Sequence, residues 1–165
     1  MKARISLKAR AVRLLSQREH SRQELIRKLR SHVTDESELE RVLQELADQG
    51  WQSDARFAQA LTRRDQVKHG IRRIEMTLRE RGVDQALIEE SLEALKDTEF
   101  ERAYQVWYKR FGAAGLPQEP REYARQARFL ASRGFGSDLV IRILEGQRPD
   151  AWDDSENFHA DFGNL

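Results

Sequence analysis

Apolar residues along this chain recur three and four positions apart, and the recurrence breaks at corresponding places three times over. Leu39, Val42, Leu43 and Leu46 form an i, i+3, i+4, i+7 stripe, as one face of a helix requires. Ile88, Leu92 and Leu95 repeat it, and so do Val140, Ile143 and Leu144. Leu29, Leu78 and Leu130 mark a second kind of helix, spaced by 49 and then 52 residues. The same two offsets relate Leu39 to Ile88 and Val140, and Leu43 to Leu92 and Leu144. Three sets of anchors sharing both offsets indicate a repeated unit.

Each unit reads as three helices. Middle helices are expected over about Arg22–Ser31, Ile71–Arg81 and Pro120–Arg133, with Ile71, Ile74 and Leu78 on one face of the second. Gly50–Trp51, Gly82–Val83 and Gly134–Phe135 read as helix stops: glycine takes the left-handed conformation, and the following apolar residue folds back on the last turn. Third helices are expected to begin near Asp35, Asp84 and Ser137, whose short side chains can cap exposed amides. Leading helices carry Ala11, Leu14 and Leu15, then Phe57, Ala60 and Leu61, then Ala103, Val106, Trp107 and Phe111. The expected fold is all-α, with three-helix repeats at 1–51, 52–96 and 97–148 stacked into an elongated curved array. Residues 149–165 read as an acidic, disordered tail: five acidic residues with no Lys or Arg.

Composition supports this class. Three prolines (Pro117, Pro120, Pro149) all fall late, and the long stretches use Leu, Arg, Glu, Gln and Ala, which lose little on entering a helix. The absence of cysteine removes disulfides and thiolate chemistry and fits a reducing cytoplasm. No stretch has the continuous apolar character of a signal peptide or a membrane-spanning helix, so a cytoplasmic protein without membrane contact is expected.

A net charge of +1 conceals an alternation. Residues 1–30 carry ten basic and two acidic residues; 31–58 carry seven acidic and two basic. Residues 63–81 return to seven basic against three acidic, 84–101 to seven acidic against one basic, and 102–148 to nine basic against four acidic. Two outcomes are open: basic stripes that meet phosphates or an acidic protein, or neutralisation of basic helices by the acidic helices of neighbouring units.

Candidates for chemistry are few. Ser21-x-x-Glu24 fits a capping box better than an acid–base pair with His20. His20, His32, His69 and His159 share no ligand spacing, so no metal is expected. Gly134-Phe135-Gly136 follows a helix, unlike a phosphate loop. Tyr104, Trp107, Tyr108 and Phe111 could stack on bases, but at helical spacing they read as core. No catalytic residue and no cofactor emerge.

Arg18-Glu19-His20-Ser21 with Glu24-Leu25 and Lys28-Leu29, then Ser53-Asp54-x-Arg56-Phe57, then Gly70-x-x-Arg73-Ile74 with Leu78-x-x-Arg81-Gly82-Val83, and finally Arg128-Phe129-Leu130-x-x-Arg133-Gly134-Phe135 form an ordered set. Over about Ala9 to Glu145 this set resembles the RecX regulators of the RecA recombinase. The resemblance implies three tandem three-helix repeats and a non-enzymatic inhibitor. It implies a partner, the RecA filament on single-stranded DNA, bound in its groove, with ATP hydrolysis, strand exchange and coprotease activity suppressed. Under that reading Arg63, Arg64, Lys68, Arg72 and Arg73, clustered at the start of the central unit, are the expected partner contacts. Direct contact with DNA and a role as adaptor for another protein remain open, and the chain is expected to be a monomer.

Overall fold

A computed structural model describes residues 5–150 and Trp152, and all regular structure among them is helical. The first unit comprises α1 (Leu7–Leu15), α2 (Arg22–Leu29) and α3 (Glu36–Asp48). The second comprises α4 (Asp54–Asp65), α5 (Ile71–Glu80) and α6 (Gln85–Glu93), and the third α7 (Glu99–Phe111), α8 (Pro120–Ser132) and α9 (Ser137–Leu144). None of these helices is long and apolar enough to cross a membrane.

Each unit has its own apolar core. Leu25, Leu29, Leu43 and Leu46 centre the first, Ile74, Leu78 and Ile88 the second, and Leu130, Phe135 and Ile143 the third. All nine repeat anchors named from the sequence are buried. In α4, however, Ala58 is buried and Ala60 is exposed, so the apolar face runs through Phe57, Ala58 and Leu61. In the third unit the buried Trp107 indole donates to Gln126 Oε1 at 2.7 Å, and Gln126 is itself fully enclosed. Tyr104 and Phe111 are buried as well and Tyr108 partly so, which places this aromatic set in the core.

The helix ends behave as the backbone demands, with three differences. Gly50, Gly82 and Gly134 have φ of 73°, 74° and 88°, and the following amides return to the carbonyls of Leu46, Leu78 and Leu130. Val83 and Phe135 are buried, but Trp51 is 47 % exposed. Asp35 and Asp84 cap α3 and α6, whereas Ser137 is the first residue of α9 and Gly136 holds the cap position without a side-chain bond. The helix of the first unit also ends early, at Leu29, and closes with a 3₁₀ turn over Arg30–His32.

Polar joints connect the three cores, and the two joints follow one plan. Ser21, the cap of α2, donates through its hydroxyl to the carbonyl of Arg81 at 2.7 Å, while Gly70, the cap of α5, donates through its amide to the carbonyl of Arg133 at 2.9 Å. The opening acid of the next unit completes each joint. Asp54 accepts the first amide of α2, from Arg22, and Glu99 accepts the first amide of α5, from Ile71, both at 2.8 Å. These amides have no partner inside their own helix, so the following unit supplies the missing cap.

Of the two outcomes left open, neutralisation is present, and it runs mainly within a unit. Basic residues of the first unit pair mainly with its own acidic helix: Lys8 with Glu45 at 2.5 Å, Arg22 with Glu40, and Arg30 with Glu36 at 2.7 Å. Pairs across the first joint run the other way, from Arg56 and Arg81 of the second unit back to Glu19 and Glu24.

Candidate partner-binding surface

The five cations singled out from the sequence flank one turn. Arg63 and Arg64 close α4, Lys68 lies in the turn, and Arg72 and Arg73 open α5; all five are exposed. They are not equivalent. Arg64 pairs with its neighbour Asp65 at 2.6 Å, and that bond raises its pKa against the opposing effect of burial. Arg72 lines a cleft of about 540 Å³ between the second and third units, with Lys96, Phe100, Asp138 and Arg142. Arg73 sits in the second joint, where a side chain at Gly134 would run into its backbone and Cβ. Among the described residues, Arg63, Lys68, Arg72 and Arg73 have no carboxylate within ion-pair distance.

Arg102 holds this turn in place. Half-buried at the start of α7, it donates to the carbonyls of Gln66 and His69 at 3.2 and 3.1 Å, and to that of Leu95 at 3.1 Å. Burial lowers its pKa and Glu99 opposes that shift. One guanidinium thus ties the turn at 66–70 to the loop before α7, so the third unit sets the shape of a surface that the second unit displays. At its centre Val67 is 69 % exposed, between Arg63 and Lys68. His69 beside it has a lowered pKa: burial contributes most, Asp65 opposes it, and the charges of Arg133, Arg73 and Lys68 add to it. Those three cations from two units therefore converge on one place. Arg102 is not distinguishable in the sequence from other arginines on helices, and Arg133 stands there only as part of a helix stop; the joint brings both to the turn.

The Ser21–Glu24 motif serves as structure, and in a different way from a full capping box. Ser21 Oγ accepts from the Glu24 amide at 3.1 Å, but the Glu24 carboxylate turns to Arg18, at 2.9 and 3.2 Å, and to Arg81 at 2.6 Å. Glu24 is buried, which pushes its pKa up, yet the Arg18 bond and the charges of Arg18 and Arg81 outweigh burial and leave it below the usual carboxylate range. His20 beside it is buried and shares Nδ1 with the Arg18 carbonyl at 3.0 Å; burial lowers its pKa.

Models of the first, second and third three-helix domains of RecX match residues 8–46, 53–92 and 97–144 in that order. The chain belongs to the RecX family. A regulatory protein RecX of Leptothrix cholodnii is 44 % identical over 140 residues, covering 85 % of this chain and 88 % of that one. Its counterpart in Chromobacterium violaceum is 46 % identical over 145 residues, covering 88 % and 93 %. The crystal structure of RecX from Lactobacillus salivarius superimposes with a TM-score of 0.72 at 21 % identity, covering 84 % of this chain and 94 % of that one. At that identity the likeness speaks for the RecX fold; the regulatory character of the family rests on the closer sequence relatives.

Proposed function

We propose that the protein is a negative regulator of the RecA recombinase, binding in the groove of the RecA filament on single-stranded DNA. It inhibits ATP hydrolysis, strand exchange and coprotease activity by bridging protomers or blocking their turnover, in the cytoplasm and without chemistry or cofactor of its own. The observation that carries the reading is the turn at 66–70: an exposed Val67 beside Arg63 and Lys68, on a backbone held by Arg102. A rigid apolar side chain excludes water at the centre of a contact, and the cations around it select an acidic counterpart. Family membership, with relatives that are regulatory proteins, supports RecA as that counterpart.

The test is ATP hydrolysis by the cognate recombinase on single-stranded DNA, with this protein titrated in at near-physiological salt. Inhibition well below one copy per recombinase protomer supports filament binding. No effect at excess removes the reading. If the cations serve DNA directly, binding to bare single strands falls steeply with salt, with a slope reflecting several phosphates, and inhibition tracks the loss of free DNA.

A further inference from the structure

The turn at 66–70 is one end of a longer surface. The exposed positions of α4 are Arg56, Gln59, Ala60, Arg63 and Arg64, opposite the buried Phe57, Ala58, Leu61 and Thr62. Arg56, Ala60 and Arg63 fall at i, i+4 and i+7, so they share one face. Gln66 keeps helical dihedrals, with φ −57° and ψ −25°, and Val67 therefore continues that face beyond the end of the helix. Trp51, 47 % exposed, stands at the other end. Arg56 ties it there, donating to the carbonyls of Gly50 and Trp51 at 2.9 and 3.0 Å and to Glu19 at 2.8 Å. Each end of the face thus displays an apolar side chain on a turn whose carbonyls an arginine holds, Arg56 at Trp51 and Arg102 at Val67.

The face is uneven in charge. Arg56 is paired with Glu19 and Arg64 with Asp65, which confines its unpaired cations to Arg63 and Lys68 at the Val67 end. None of the exposed residues of α4 is acidic. The twelve residues of the helix set the two apolar ends on the order of 20 Å apart. A single strand of nucleic acid suits this pattern poorly. It needs cations along its whole track and rings on which to stack, and here the free cations lie at one end and the one ring at the other. A helix face is also convex, so it offers no walls to a flexible peptide. It fits a groove on a folded protein, which holds two recesses at a fixed separation and loses little freedom on contact.

We propose that the outward face of α4, from Trp51 to Val67, seats in a groove of a folded protein partner, with Trp51 and Val67 as anchors and an acidic wall facing Arg63 and Lys68. Tryptophan and arginine are the side chains that most often carry the binding energy of such a contact. Ala60, midway along the face, lets the floor of the groove approach the helix. The identity of the partner as the recombinase filament rests on the proposed function; the extension of the contact from Val67 to Trp51 is additional to it.

The experiment measures inhibition of recombinase ATP hydrolysis on single-stranded DNA by the natural chain and by Trp51→Ala and Ala60→Arg, each with its melting temperature. Both positions are exposed, so both variants are expected to melt with the natural chain. Trp51→Ala removes an anchor and Ala60→Arg puts bulk into the groove. Each is expected to raise the concentration needed for half-inhibition at least about tenfold. Full inhibition by either folded variant, with the natural chain active, overturns the proposal and leaves the recombinase reading standing. No inhibition by the natural chain removes both. Ala60→Arg also separates the occupants, because an added cation favours a nucleic-acid strand: stronger inhibition with tighter binding to an oligothymidine probe overturns the proposal in favour of DNA. The chain's own acidic segment is tested in the full chain by Asp153→Asn, Asp154→Asn, Glu156→Gln and Asp161→Asn together. If these changes erase the effect of Trp51→Ala, that segment occupies the face and the proposal falls.

Discussion

Ser21 and Arg81 are sixty residues apart in sequence and in contact in space, the hydroxyl of one donating to the carbonyl of the other at 2.7 Å. The bond has a counterpart one repeat later, between the Gly70 amide and the Arg133 carbonyl, although serine has given way to glycine. In both places the end of one middle helix, at an Arg-Gly pair, is presented to the beginning of the preceding one. The repeat thus duplicates a joint as well as a unit. Around the first joint the contact is ionic, through Arg18, Glu24 and Arg81; at the second it is steric, backbone against backbone.

Replacing Glu24 by Gln leaves two arginines facing a neutral amide in a buried position. Because both guanidinium groups are nearly half exposed, the cost is set below that of a fully buried pair, at about 1–2 kcal/mol. Urea unfolding of Glu24→Gln should show a lower midpoint, and the deficit should shrink in high salt. An unchanged midpoint at low salt would show that the ionic cluster contributes nothing to the joint.

Acid should weaken the fold in two steps of the same sign. His20 has a folded pKa below its ordinary 6.5, so the unfolded chain takes up the proton first and stability falls as pH drops below about 6.5, levelling off below the folded value. Glu24 is also lowered, so its contribution is present above the ordinary carboxylate value of 4.5 and is lost as pH falls through the folded one. Melting temperature followed between pH 7.5 and 5.5 should decline in the natural protein and decline less in His20→Gln. Equal slopes would remove His20 from the account and leave His69, also lowered by burial.

Two glycines separate the cost of close approach from the cost of backbone conformation. Gly70 has an ordinary φ of −77°, but a Cβ there would run into the backbone of Gly134 and Phe135, which cannot move without opening the second joint. Gly50 has φ 73° and nothing within 4 Å of its Cβ position. Gly50→Ala should cost about 1 kcal/mol, the penalty of the left-handed conformation. Gly70→Ala should cost at least about 2 kcal/mol by displacing packed backbone, and should expose the second and third units to limited proteolysis where they meet. Equal losses for the two would contradict the joint as described.

The indole of Trp107 has Gln126 as its acceptor in the third core. Gln126→Leu keeps the volume and removes the acceptor, so a buried N–H is orphaned at a cost of about 1–3 kcal/mol. Thermal unfolding measures the loss, and near-ultraviolet dichroism of the tryptophan reports the altered environment.

At the proposed RecA-binding surface, stability and function should separate. Val67→Asp is expected to weaken inhibition of recombinase ATP hydrolysis at least about tenfold with little change in melting temperature, since Val67 is 69 % exposed. Charge reversal of Arg63 with Lys68 should do the same. Reversal of Arg72 with Arg73 should also lower inhibition; full inhibition by the folded double variant would take those two out of the contact.

The sequence by itself determined the helices, their repeat and their three cores, because these depend on neighbours three and four residues apart and on where glycine permits a stop. Every repeat anchor, from Leu29 to Leu144, went to the interior as its spacing required. Tertiary structure decided what joins the units. A side chain that caps a helix from another unit, as Asp54 and Glu99 do, leaves no periodic trace, since its partner is an amide far along the chain. Glu24 looked like half of a local capping box and became the centre of an ionic joint because Arg81 arrives from the next unit. The cluster of cations at 63–73 was legible as composition. That Arg64 is neutralised locally, that Arg73 is occupied in a joint, and that Arg102 fixes the turn beneath Val67 depends on distances between side chains, which only the packing of three separate cores sets.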